Sequence, residues 1–207
     1  LTTDLPASAI AEIAAALAAY KVIFFRDQPM SAAQHIAFAR RFGELELHPF
    51  LGSNTALPEL VRFEKSAEVA GYENAWHADV TWRERPSMGA ILHAIQVPEV
   101  GGDTLFADMY AAYEGLPDDL KQRIESLELE HTFMHTFGPF LTDEQKASML
   151  QAYPPPTHPI SMMFRRRAGR RWKTSISGSS TGCAMPATPA ISASTMRCRG
   201  SSASSRN

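Results

Sequence analysis

Trp76-His77-Ala78-Asp79-Val80-Thr81-Trp82 is followed by Met88-Gly89-Ala90-Ile91-Leu92-His93-Ala94-Ile95-Gln96-Val97. Parts of both runs alternate apolar and polar residues with the two-residue period of a half-buried β-strand. Outward from them, Leu60-Val61-Arg62-Phe63-Glu64 alternates in the same way, and so does 129–135. Gly101-Gly102-Asp103 is a tight turn ahead of a strand over 104–107. Lys21-Val22-Ile23-Phe24-Phe25 is a short run of β-formers and reads as a buried strand. Helices are expected over 6–19, where Ile10, Ile13, Ala14 and Leu17 share a face, and from Ser31 to Phe42. In the second of these, Ser31 and Gln34 form a capping-box pattern and Gly43 is a stop. A further helix is expected over 116–127, after Pro117 and the acidic pair Asp118-Asp119. Helices first and then many strands joined by antiparallel-type turns give a mainly β fold with flanking helices (α+β). That order argues for a sandwich or barrel and against a parallel α/β sheet. No glycine-rich phosphate loop of either standard type is present, which weakens kinase and nicotinamide readings.

The chain has 207 residues, 44% hydrophobic and 20% charged, with a formal charge of −2, the profile of an ordinary soluble globular protein. No apolar run reaches the eighteen residues of a membrane span. The opening stretch begins with Leu1 and is amphipathic rather than signal-like, so no secretory peptide is expected. The near-neutral total conceals two different materials. Residues 1–160 carry a net charge of −11 and hold all seven histidines. Residues 161–207 carry +9, with no acid, no Leu, no Val and eleven Ser. So little aliphatic surface cannot offset the ordering of a backbone, at about 1–2 kcal/mol per residue. Two units are expected: a body over 1–160 and a Ser/Arg-rich tail over 161–207, disordered or out of frame. A basic nucleic-acid arm at Arg165–Arg167 and Arg170–Arg171 is the weakest of the three readings of that tail. Cys183 and Cys198 both lie in the tail with no His or acid beside them, a poor metal site, and the cysteine-free body excludes a disulfide framework there. The bland location is the cytoplasm.

Side chains at i and i+2 of a strand point to one face, so His77 and Asp79 project together. An imidazole and a carboxylate there can take adjacent positions on one metal ion. Two His and one carboxylate on one face leave open positions that suit non-haem Fe(II). Taken alone, His-x-Asp fits equally a strand histidine paired with a nearby acid. Thr104 offers a hydroxyl that could bind a carboxylate or simply cap its turn.

Together these segments resemble the taurine dioxygenase family. The resemblance rests on Val22-Ile23-Phe24-Phe25-Arg26-Asp27-Gln28, on Phe38-Ala39-Arg40-Arg41-Phe42-Gly43-Glu44-Leu45 with His48-Pro49, and on the 76–82 run. It continues through Gly89-Ala90-Ile91-Leu92 and Gly101-Gly102-Asp103-Thr104-Leu105-Phe106-Ala107, with Ala111-Ala112-Tyr113, in order and with family-like spacing over roughly 4–160. It implies a double-stranded β-helix (jelly-roll) core, here incomplete at both ends. It also implies Fe(II) as cofactor, and 2-oxoglutarate and O2 as cosubstrates. His77 and Asp79 match the first His and the carboxylate of the iron triad, which makes them the catalytic and metal residues. Thr104 matches the threonine at the 2-oxoglutarate carboxylate. His48 matches a histidine lining the substrate site. The family's tyrosine three residues beyond it is Leu51, and its substrate-side asparagine falls on Glu73, with Asn74 adjacent but off register. A carboxylate at Glu73 would repel a sulfonate, which disfavours taurine and leaves another sulfonate, a sulfate ester or a different small acid.

Past Ser161 the resemblance stops. The family's distal iron His and its 2-oxoglutarate Arg would lie beyond that point, and the tail holds no His. His93, His131, His135 and His158 all precede that place and read as structural. The expected function is oxidative hydroxylation of a small acidic substrate such as taurine or another sulfonate, with desulfonation to an aldehyde and sulfite, in taurine catabolism or wider sulfur metabolism, impaired in this chain. An inactive relative and a non-enzymatic β-sandwich binding module are the alternatives. The partner is a small molecule, not nucleic acid or membrane, and a homo-oligomer is left open.

Overall fold

The computed structural model of the chain describes residues 1, 4–51, 53–54, 56–65, 76–100, 104–160 and 191–198. Eight of the fourteen residues of the first helix, α1 (Ala7–Tyr20), are alanine, the strongest helix former, and its Ile10 is buried. In α2 (Ala32–Arg40) the expected capping box forms in full. Gln34 N–H donates to Ser31 Oγ at 3.2 Å, and Ser31 N–H donates to Gln34 Oε1 at 2.8 Å. The buried face of α2 is His35, Ile36, Phe38 and Ala39. Ile36 and Ala39 pack with Leu60, Leu57 and Ile91 as the first of two cores.

The strands behind that core are β1 (Ser53–Asn54), β2 (Leu57–Lys65) and β3 (Gly89–Gln96). The helices α3 (Met109–Glu114) and α4 (Asp118–Ile124) follow, then β4 (Glu128–Glu130), α5 (Asp143–Ala152), β5 (Thr157–Pro159) and β6 (Ile191–Cys198). The larger sheet has the order β1-β2-β6-β3, and β6 runs parallel to both neighbours. The register sets Thr195 opposite Arg62 on one side and His93 on the other. β4 and β5 pair antiparallel, with Leu129 opposite His158.

Several expectations need correction. Among the described residues helices hold more of the chain than strands, so "mainly β" does not describe what is seen. Within the 161–207 tail, read as disordered or out of frame, residues 191–198 form a strand. That stretch is free of Pro and Gly and holds Ile191 and Thr195, and it pairs with β2 and β3, which would otherwise present open edges to each other. The rest of the tail lies outside the described residues. The runs at 21–25 and 104–107 form no strand, and among the described residues neither joins a ladder. Instead Phe24 meets Phe106 edge-on at 6.2 Å. Residues 79–82 are a turn rather than a strand. The 129–135 run ends in a 3-10 turn, Phe133–His135.

The second core is aromatic. Val80, Trp82 and Phe133 are buried, with Phe50, Met134, Phe137, Leu141, Met149, Leu150 and Tyr153 packed around them. Phe133 is 1% exposed, and full burial of such a side chain stabilises by about 1.5–3 kcal/mol. α5 turns Met149 and Leu150 toward this core after a capping box at Thr142 and Gln145. This core lies directly beneath the turn that carries Asp79.

Proline at Thr195 would remove a ladder N–H from the middle of the sheet. Urea unfolding of Thr195→Pro should show a loss of about 1–3 kcal/mol. An unchanged midpoint would show that β6 contributes nothing to the sheet.

Candidate metal and substrate site

Residues 76–78 have no regular structure and 79–82 form a turn. Although the strand is absent, His77 and Asp79 still meet, with His77 Nε2 3.3 Å from Asp79 Oδ1. Both side chains are more than half exposed, at 55% and 64%. One turn residue is under strain. Val80 has φ +47°, a left-handed value that a β-branched side chain rarely adopts. Its side chain is buried in the aromatic core, and Arg83 N–H donates to Val80 O at 3.0 Å. From β5, buried His158 closes the turn. Its Nε2 lies 3.1 Å from Thr81 O and 3.0 Å from Arg83 O. Carbonyls only accept, so this nitrogen carries the proton and donates to both.

His48 stands beside the turn, its ring bordered by Phe50, Trp82 and Phe137 at 6.0, 6.0 and 5.3 Å. Its Nδ1 accepts from the backbone N–H of Phe50 at 3.3 Å and of Leu51 at 3.1 Å. Accepting at Nδ1 leaves the hydrogen of the neutral ring on Nε2. Burial, then the nearby Arg83 charge, push its pKa down to about 4, while Asp79 pulls in the opposite direction. His48 is therefore a neutral N–H donor at pH 7. Arg83 ties its loop to the turn. The guanidinium donates through Nε to Glu46 Oε1 at 3.0 Å, with a second bond from Nη2. It also sits over the rings of Trp82 and Tyr153, at 4.7 and 4.6 Å.

The structure thus brings His77, Asp79 and His48 into one neighbourhood. Thr104 lies exposed two residues before Phe106, and among the described residues no hydrogen bond links it to that group. Glu73 and Asn74, with the glycines at 101 and 102, lie outside the described residues. His77 and Asp79 supply one nitrogen and one oxygen converging on a point open to solvent, a donor pair that fits Fe(II) as two of its ligands. Among the described residues no cluster of three His, Cys, Asp or Glu side chains converges on a metal position. His158 is spent on carbonyls, His131 packs on it at 5.1 Å, and buried His35 has its Nε2 3.0 Å from Ile91 O, with His93 alongside. The structural reading of His93, His131 and His158 fits these contacts. Sequence reasoning missed Arg83, Glu46, Phe50 and Tyr153. The one available signal was an Arg immediately after the Trp of the motif.

A histidine–carboxylate pair beside a neutral histidine and an aromatic wall offers two of the donors that a non-haem metal oxygenase uses. The family model "Taurine catabolism dioxygenase TauD, TfdA family" matches residues 1–174, and the chain belongs to that family. Among its relatives is the (S)-phenoxypropionate/alpha-ketoglutarate-dioxygenase of Sphingobium herbicidovorans, 38% identical over 137 residues, which cover 64% of this chain and 48% of that protein. The alpha-ketoglutarate-dependent 2,4-dichlorophenoxyacetate dioxygenase of a Burkholderia species is 34% identical, covering 72% and 54%. The alpha-ketoglutarate-dependent sulfate ester dioxygenase of Pseudomonas putida is 31% identical, covering 72% and 49%. The crystal structure of AAD-2 with Mn(II) and N-oxalylglycine superposes with a TM-score of 0.52 at 29% identity, covering 77% of this chain and 56% of that one. The chain spans about half the length of these relatives. The family's enzymes are 2-oxoglutarate-dependent dioxygenases that use Fe(II) and O2. The family match also runs past Ser161, where the resemblance was expected to stop.

His35, His48 and His131 all have pKa values lowered from 6.5, with burial the first cause in each. Such groups are neutral in the folded chain while the unfolded chain already takes up protons, so stability is complete above pH 6.5. It is expected to fall as pH drops from 6.5 through about 4, where His48 protonates. Thermal midpoints across that window should decline, and His48→Gln should flatten the decline. A midpoint constant from pH 6.5 to 4.5 would refute a neutral His48.

Proposed function

We propose that this chain carries the iron and substrate half of a 2-oxoglutarate-dependent dioxygenase that hydroxylates an organic acid or sulfate ester with an apolar body. One observation carries this reading: His77 Nε2 and Asp79 Oδ1 converge at 3.3 Å in the neighbourhood of the neutral imidazole of His48. Bound iron would supply oxidising chemistry drawn from O2 and 2-oxoglutarate. The chain's own residues supply the rest. His77 and Asp79 hold the metal. His48 donates from Nε2 to an anionic head group without adding a charge of its own. Phe50, Leu51, Phe137, Phe140 and Leu141 line an apolar cavity of about 230 Å³ next to His48, which suits a hydrocarbon or aryl body and excludes water. Thr104, through its hydroxyl, is assigned to the cosubstrate carboxylate on its motif. The double-stranded β-helix would be completed by strands outside the described residues, a reading supported by the likeness to AAD-2.

Taurine fits this cavity poorly, being small and polar at both ends. The printed substrates of the relatives, phenoxyalkanoates and sulfate esters, each join an anionic group to an apolar body. A second reading is a relative that binds metal but does not turn over. The lack of a third converging ligand among the described residues favours it.

Mn(II) titration followed by electron paramagnetic resonance tests the metal pair. His77→Ala and Asp79→Ala should each weaken binding by about tenfold or more. Equal affinity in all three proteins would overturn the assignment. Succinate release under Fe(II), 2-oxoglutarate and O2 then separates the two readings, with an aryloxyalkanoate, an alkyl sulfate and taurine as alternative substrates.

A further inference from the structure

Asp79 is joined to Val80, and the peptide between them decides where the carboxylate stands. Val80 holds φ +47°, a value that a β-branched residue leaves unless its surroundings hold it there. Among the described residues the backbone of the turn supplies one bond to that end, from Arg83 N–H to Val80 O at 3.0 Å. One such bond is at best an even match for the strain. Two more contacts come from outside the turn. His158 Nε2–H donates to Thr81 O at 3.1 Å and to Arg83 O at 3.0 Å, across 77 and 75 residues of sequence.

The segment that carries His158 is itself held in place. β4 and β5 set it opposite Leu129. Beyond the ladder, His131 N–H donates to Pro156 O and Ile160 N–H to Leu127 O, each at 2.9 Å. The ring of His131 packs against that of His158 at 5.1 Å, and His158 is 6% exposed. A buried imidazole that served packing alone would need a single acceptor for its N–H. This one bridges two carbonyls, one on each side of Trp82, and Trp82 is buried in the aromatic core. With residues 81 and 83 both pinned, the turn has one shape, and in that shape Asp79 Oδ1 stands 3.3 Å from His77 Nε2.

We infer that His158 is a positioning residue for the metal pair: by donating to Thr81 O and Arg83 O it holds the 79–83 turn in the form that presents Asp79 to the same metal ion as His77. It acts through the turn and not as a ligand, since its donor nitrogen is engaged by the two carbonyls. This role rests on the reading of His77 and Asp79 as metal ligands. It depends on the N–H of the ring and not on the ring's volume, which separates it from packing.

Mn(II) binding to the whole chain, followed by electron paramagnetic resonance, tests it beside urea unfolding. His158→Leu keeps the bulk and removes the donor, and it should weaken Mn(II) binding by about tenfold. His158→Gln places an amide N–H near the position of Nε2 and should bind close to the wild type. Should His158→Leu not fold, His158→Asn takes its place, because its shorter amide falls short of both carbonyls. Ile36→Ala, in the other core, is the control: it should unfold at lower urea yet bind Mn(II) as the wild type does. Wild-type affinity without the donor overturns the proposal alone. So does a His158→Gln variant that binds as weakly as His158→Leu, or an equal loss in Ile36→Ala. A wild type that takes up no Mn(II), or one that binds no better than His77→Ala and Asp79→Ala, overturns the proposal together with the ligand assignment beneath it.

Discussion

His158 donates from one ring nitrogen to two backbone carbonyls, those of Thr81 and Arg83, and the shape of the 79–83 turn follows from that pair of bonds. The turn contains a valine in the left-handed region, a conformation that costs on the order of 1–3 kcal/mol and persists only where its surroundings over-determine it. Three things do so here. The Val80 side chain is buried with Trp82 and Phe133, Arg83 N–H closes the turn onto Val80 O, and the imidazole of His158 grips it from below. His158 can do this because the short β4–β5 ladder, which sets it opposite Leu129, carries it beneath the turn. A two-stranded ladder of three residues each would be marginal by itself. Its packing beside the aromatic core makes it part of the site.

Electrostatics then divides the labour between charged Arg83 and neutral His48. Arg83 is the charge closest in kind to an anion-binding group, yet its guanidinium is satisfied by Glu46 and held between Trp82 and Tyr153. It acts on the site indirectly, by joining the His48 loop to the metal-side turn and by helping to keep His48 unprotonated. A neutral donor and a charged one differ in what they select. A permanently charged side chain would bind any small anion from solution. A neutral N–H set among aromatic rings stabilises an anionic head only when an apolar body fills the adjoining cavity as well.

Much of this was legible in the residues, and the failures share a cause. The α2 cap was visible because a capping box is a local device with local residues. β2 and β3 were visible because each alternates over a paired, half-buried length. His77 and Asp79 meet at 3.3 Å although the strand expected behind them does not form, because a separation of two residues keeps their side chains close in the turn as well. Arg83 and Glu46 were invisible because their meaning is non-local: 37 residues separate them, and only the fold shows them as partners. The β6 segment was misjudged because composition was averaged over 47 residues, and eight β-compatible positions were lost among the serines and arginines around them.

The runs at 21–25 and 104–107 carry a further lesson about what a strand is. Their sequences are as β-prone as that of β2, but propensity only says that a segment fits a pleated, half-buried surface. β2 and β3 become strands because β6 satisfies the backbone of both. The other two runs meet through a phenylalanine pair and an ion pair, and among the described residues neither joins a ladder. An alternating sequence is thus necessary for a strand and insufficient for one. The missing ingredient is a second backbone at hydrogen-bonding distance, which β6 brings to β2 and β3 and which no described segment brings to 21–25 or 104–107.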